Sequence, residues 1–303
     1  MRTRFRPDRR LTVRMAVTMG LLAVVYVAFV AALVVLIKSI LLIVLLVGGL
    51  LLAQFWFSDR IALYGMRARI VTAEEQPQLH GLVERLCSLA DMPKPQIAVA
   101  DMELPNAFAT GRSTKRAVLC VTTGLTRRLD PEELEGVLAH ELSHVAHRDV
   151  VVMTIASFLG VLAGLLARMM LYSSMFGGNR DRRDGDNFVV IVLAVMAVSA
   201  VVYAVSYLLI RALSRYRELA ADRAGAILTG RPSALASALT KVSGEIARIP
   251  TRDLRAAQAF NAFFFAPALG AQTSVAHLLS THPALERRLD QLASLSTQLG
   301  EGA

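Results

Sequence analysis

The sequence predicts a mainly helical (α+β) chain, with four transmembrane helices beside one soluble unit that carries a small β-sheet. Two observations carry this. Four long apolar runs interrupt the chain, and the stretches between them show helical apolar spacing and three short β-like runs. Bulk composition agrees: 54% of the 303 residues are hydrophobic and mean hydropathy is +0.49, above the roughly 45–50% apolar content of soluble domains.

The first run, Met15–Ile37, is free of charge, and the second, Ile40–Phe57, follows after only Lys38 and Ser39. The pair reads as a tight hairpin. The third, Val150–Leu171, holds Arg168 near its end, where a long side chain can snorkel. The fourth, Phe188–Ile210, is uncharged. Each approaches the ~20 residues that a bilayer core requires. The first run exceeds the ~7–15-residue core of a signal peptide and a second span follows at once, so it reads as a retained anchor. For the third and fourth runs the alternative is an apolar hairpin lying shallowly in the membrane.

Basic residues set the orientation. Arg2, Arg4, Arg6, Arg9, Arg10 and Arg14 precede the first span; Arg60, Arg67 and Arg69 follow the second; Arg211, Arg215 and Arg217 follow the fourth. All three regions are expected in the cytoplasm. In the loop 172–187, Arg180, Arg182 and Arg183 run against the rule, offset by Asp181, Asp184 and Asp186. The expectation is a multi-pass protein of the cell (inner or plasma) membrane, with both termini and the soluble unit cytoplasmic. Its parts are a hairpin at 1–57, soluble segments at 58–149 and 211–303 that pack into one domain, and a second hairpin at 150–210. The net charge of +9 is assigned to topology: no zinc-finger or RNA-binding signature accompanies it, so nucleic acid is not an expected partner. Cys87 and Cys120 read as small buried hydrophobes in a reducing compartment.

In the soluble segments, Leu79, Leu82, Val83, Leu86 and Leu89 mark a helix over 73–90, ended by Pro93–Pro95. Ile97–Ala100, Ala107–Thr110 and Ala117–Thr122 are β-like, the last two a hairpin around the polar turn Gly111–Arg116. Asp130-Pro131-Glu132-Glu133 is a helix start, with Asp as N-cap, Pro at the first position and Glu at the third. That helix should run through His140 to about Arg148. No Gly or Pro stops it before the third apolar run, so it is expected to continue into the bilayer.

HELSH at 140–144 is an HExxH pattern. Residues four apart share a helix face about 6 Å along the axis, so two imidazoles can converge on one Zn2+ per chain. Glu141 is then placed to take the proton of the attacking water as general base. Chance yields such a match in a chain this long on the order of one time in a hundred. A catalytic site needs a third protein ligand and an open position. His147 is about 10 Å along the axis from His140, too far to share the ion, and Asp149 falls on the opposite face. Glu218 is the better candidate: in Arg217-Glu218-Leu219-Ala220-Ala221-Asp222 the two acids are four apart, so one carboxylate can bind zinc while the other accepts a hydrogen bond from a ligand histidine. Glu218 is assigned to the metal (a gluzincin-type set) and Asp222 to the histidine.

HELSH followed by RELAADRAGA resembles the HtpX-type membrane zinc peptidases, relatives of the CAAX prenyl protease, over about residues 58–290. The resemblance implies a zincin-like catalytic domain and a zinc metalloendopeptidase acting on misfolded or short-lived membrane proteins in quality control and stress response, with self-cleavage. NAFATG at 106–111 resembles the family's edge strand beside the active-site helix, which implies that Asn106, Ala107, Phe108 and Ala109 bind substrate by backbone pairing. THPALERR at 281–288 resembles its late His-Pro motif, which implies that His282 and Arg288 lie near the zinc and stabilise the oxyanion. The phenylalanines of Ala256–Ala271 carry no chemistry; core or membrane contact is expected there.

On a continuous helix, His144 would sit about 9 Å from the start of the third span. The site should then open at the membrane surface and prefer substrates in the same bilayer. The rival from another class is a zinc-stabilised membrane scaffold without catalysis, for which Glu141 would have no use. Oligomeric state is left open.

Overall fold

A computed structural model describes residues 8–37, 48–111, 113–148, 182–248 and 283–300. The third apolar run, residues 40–47 of the second, most of the loop 172–187, the phenylalanines of 256–271, Asp149 and His282 lie outside them. The described residues are mostly helical with one small mixed sheet. They group into two compact units. One holds 58–148, 214–248 and 283–300 with the chain's start to Thr12; the other holds 13–37, 48–57 and 182–213.

The second unit is built from α1 (Arg9–Ile37), the first half of α2 (Gly49–Gly65) and the apolar part of α6 (Arg182–Thr229). Leu22, Phe29 and Leu33 of α1 bury against Val195 and Val202 of α6. Val13, Val17, Val24, Val27 and Val35 on α1, and Leu193, Val201 and Leu208 on α6, stay exposed. A helix apolar on its outer face as well as its inner one belongs in lipid rather than water. α1 and α6 are long and apolar enough to cross a membrane.

In the first unit, four strands order as β1 (Ala68–Ile70), β2 (Gln96–Ala100), β4 (Val118–Thr122) and β3 (Ala107–Thr110). β1–β2 and β4–β3 are antiparallel and β2–β4 is parallel, which leaves β3 on an edge. Both faces are covered. Ala98, Ala100, Phe108, Val118 and Cys120 meet Ala62 of α2 and Met66 just after it. Ile97, Ala107, Ala109, Leu119 and Val121 join a core with α3 (Pro77–Ala90) and α5 (Pro131–Ala146), which explains strands without polar alternation. α4 (Thr123–Arg128) follows β4, with Thr122 Oγ1 accepting from Leu125 N. α7 (Pro232–Arg248) and α8 (Leu285–Leu299) complete the unit, α8 through Leu292 and Leu295.

α5 starts as its sequence predicts: Asp130 is N-cap, Pro131 takes the first position, and the Asp130 N–H donates to Glu133 Oε2 at 2.9 Å in a capping box. Its far end differs from the expectation. The helix stops at Ala146, with His147 as C-cap and Arg148 in the left-handed region at φ 57°. His147 Nδ1 closes on Ser143 O at 2.8 Å. Side-chain capping and one left-handed Arg end this helix without Gly or Pro, so the unbroken passage into the bilayer that the sequence predicted does not occur.

Candidate metal centre

His140 and His144 sit one turn apart on α5, wholly buried, with their Nε2 atoms 3.2 Å apart. α6 crosses them closely because residue 225 is glycine: a Cβ there would meet the His140 backbone N at 2.9 Å. This approach brings Glu218 of α6 into place. Glu218 Oε2 lies 3.5 Å from His140 Nε2, and its Oε1 lies 3.6 Å from His144 Nε2. Zinc–nitrogen legs of ~2.05 Å at tetrahedral angles give donor separations of about 3.3 Å, so two imidazoles at 3.2 Å with a carboxylate facing both fit one such ion. Glu141 also lies within 4.8 Å of both imidazole donors. Its Oε2, however, accepts from Ala109 N at 3.1 Å.

Charge makes the same demand. Glu141, Glu218 and Asp222 are buried around two imidazoles. Burial alone would lower the His140 pKa; hydrogen bonds to Asp222 and Glu218, and the charges of both, outweigh it and raise it to about 9. Burial pushes the Glu141 carboxyl up, eased by the nearby histidines. A cluster that draws a proton into its centre is one that accepts a cation.

Around the donors, Asp222 Oδ1 sits 2.9 Å from His140 Nδ1. Arg288 of α8 grips Asp222 with two charge-assisted bonds, Nε to Oδ2 at 2.7 Å and Nη2 to Oδ1 at 2.6 Å. Its Nη1 is 4.0 Å from Glu218 Oε2. Arg288 thus lies beside the donors, as the resemblance implied, and holds Asp222. Arg217 Nη2 lies 3.6 Å from Glu218 Oε1; the sequence reading used this arginine only as a topology signal.

The edge strand runs beside α5. Thr122 N donates to Asn106 O at 2.9 Å, and Asn106 N donates to Thr122 Oγ1 at 2.9 Å. By antiparallel alternation, Phe108 also bonds toward β4, while Ala107 and Ala109 turn their backbone groups to the edge with which no described strand pairs. The Ala109 N–H that reaches Glu141 follows this rule. The Phe108 side chain packs on the α2 face of the sheet. Past Ala109, Thr110, Gly111, Thr114 and Arg148 line a small cavity beside His144.

The profile of Peptidase family M48 matches residues 73–296. The chain belongs to peptidase family M48. Two relatives match it over nearly its whole length. It is 65% identical to "Protease HtpX homolog 1" of Streptomyces coelicolor over 99% of this chain and 98% of that one. It is 52% identical to "Protease HtpX homolog" of Moorella thermoacetica over 99% of both. The crystal structure of S. mikatae Ste24p shares its fold, with a TM-score of 0.50 at 16% identity, over 94% of this chain and 66% of that one. Family and relatives make this M48 member an HtpX-type membrane metalloprotease, and His140, Glu141 and His144 form a metal-competent group consistent with it.

Proposed function

We propose that this M48 protein is a zinc-dependent endopeptidase of the gluzincin type that cuts misfolded or short-lived membrane proteins at the cytoplasmic face of the cell membrane. The observation that carries the reading is the convergence of three side chains: His140 Nε2 and His144 Nε2 lie 3.2 Å apart, and the two oxygens of Glu218 face them at 3.5 Å (Oε2 to His140) and 3.6 Å (Oε1 to His144).

Bound zinc would polarise the scissile carbonyl and acidify a water. Glu141 takes the proton of that water and passes it to the leaving amine. Ala109 N–H steadies the Glu141 carboxylate for this work. A substrate strand adds to the β3 edge through the outward backbone groups of Ala107, with Asn106 tied down by Thr122 at the strand's start. His282 is the oxyanion donor in this reading.

Glu141→Gln is the decisive variant. Purified in detergent and loaded with zinc, it should keep its metal and lose ~10²–10⁴-fold in cleavage of a model substrate and of itself. If wild type and variant both hold zinc and neither cuts, the chain is a metal-stabilised scaffold.

Preference for membrane-tethered substrates no longer leans on α5. It is supported by α6, where Glu218 follows the uncharged run ending at Ile210 by eight residues on one helix. A tethered substrate should be cut faster than its soluble, unfolded counterpart at equal local density; equal rates would sink the idea.

A further inference from the structure

We infer that Arg288 is a positioning residue for the metal: its two-point grip on Asp222 aims His140, so that α8 acts as a latch on which metal retention depends. This rests on the reading of His140 as a ligand.

Three side chains line up in depth. His140 touches the proposed ion through Nε2. Asp222 Oδ1 meets the opposite ring nitrogen at 2.9 Å. Arg288 then holds both oxygens of that carboxylate, at 2.7 and 2.6 Å. All three are almost fully buried, at 0%, 0% and 2% exposure. A single bond to His140 would leave Asp222 free to rotate about its own side-chain torsions, and the imidazole would turn with it. The guanidinium fork removes that freedom, because two parallel bonds fix the plane of the carboxylate as well as its distance. It also supplies the opposite charge that a carboxylate needs at this depth.

Arg288 enters the site from a helix that carries no metal donor. α8 is seated by Leu292 and Leu295 in the core, and Gln291 Nε2 donates to Leu219 O at 2.7 Å. Gln291 thus joins α8 to α6 without touching the Asp222 carboxylate, which makes it the proper control.

The test is zinc affinity of the full-length protein in detergent, by competition with a chelator, together with the visible spectrum of the cobalt-substituted protein. Arg288→Met should weaken zinc binding ~10–100-fold, the usual effect of losing an outer partner of a ligand histidine, and should shift the cobalt bands. Arg288→Lys keeps the charge without the fork and should fall between. Gln291→Leu should bind as wild type does. Arg288→Met combined with Asp222→Asn should be no worse than Asp222→Asn alone, since both act through one path. If Arg288→Met fails to fold, Arg288→Lys alone and with Asp222→Asn decides the matter. Wild-type zinc affinity in the Arg288 variants, with only kcat reduced, would overturn the inference and return Arg288 to the oxyanion. Additive losses in the double variant would overturn it too. A wild-type protein that binds no zinc would bring down the metal reading itself.

Discussion

Both ring nitrogens of His140 are engaged: Nδ1 meets Asp222 and Nε2 faces His144 and Glu218. His144 and Glu218 stand nearly equidistant from each other and from His140, so removing Glu218 leaves two imidazoles without the third corner. Glu218→Gln should lose more affinity than the ~10–100-fold typical of a missing outer partner, read as metal retained after dialysis against a chelator. Residue types were legible in the sequence where the helix repeat links them: His140 to His144, and Glu218 to Asp222, are each one turn apart. The Arg288–Asp222 pair spans 66 residues, and no local spacing reports such a contact. The Ala109–Glu141 bond is equally silent, because it uses a backbone N–H that every residue but proline carries.

At the scale of elements, closeness of α5 and α6 is what builds the site. Gly225→Ala places a methyl 2.9 Å from His140 N and 3.2 Å from Ala139 C, so the helices must part. The expected cost is ~1–3 kcal/mol of stability, with weaker metal binding, seen as a lower Tm and a smaller Tm gain on adding zinc. The start of α5 is tied to α7: Lys241 Nζ reaches Asp130 Oδ2 at 2.9 Å and Glu133 at 2.8 Å, and Ser237 Oγ donates to Glu133 Oε1 at 2.6 Å. The hydrogen bond from Lys241 lowers the Asp130 pKa. For Glu133 the upward push of burial is overcome by Lys241, Ser237 and the Asp130 N–H, so it too is lowered. Folded values below unfolded ones mean stabilisation that is complete above about pH 4–5 and lost as pH falls through the folded values. Lys241→Met should lower the Tm at pH 7, and the difference should shrink as pH falls through the folded values of the two carboxylates. The capping box and the β3–β4 hairpin were readable because caps and turns have local signatures. β1 was not, at three residues directly behind α2, and neither was the end of α5, made by His147 and a left-handed Arg148 rather than by Gly or Pro.

For the whole molecule, the proposed orientation in the membrane predicts a labelling pattern. Cys87 and Cys120 suit it: both are free and buried, and burial pushes their thiols up to about 11 and about 12, so they should stay silent toward maleimides. Ser39→Cys should react with a membrane-impermeant maleimide on intact cells, and Thr3→Cys and Ala303→Cys only after lysis; the opposite pattern would invert the proposed topology. The apolar runs made the membrane class legible from hydropathy alone, and the shortness of the soluble stretches between them pointed to the joining of 58–148, 214–248 and 283–300 into one unit, though not to the contacts that make it. That interleaving also sets a clock on biosynthesis. His144 leaves the ribosome 74 residues ahead of Glu218, about 4–15 s at ordinary rates of elongation, and Arg288 comes later still. On the proposed ligand set, the nascent chain would hold His140, Glu141 and His144 without the third corner throughout that interval, so a newborn chain would not cut its own helices while they are being inserted.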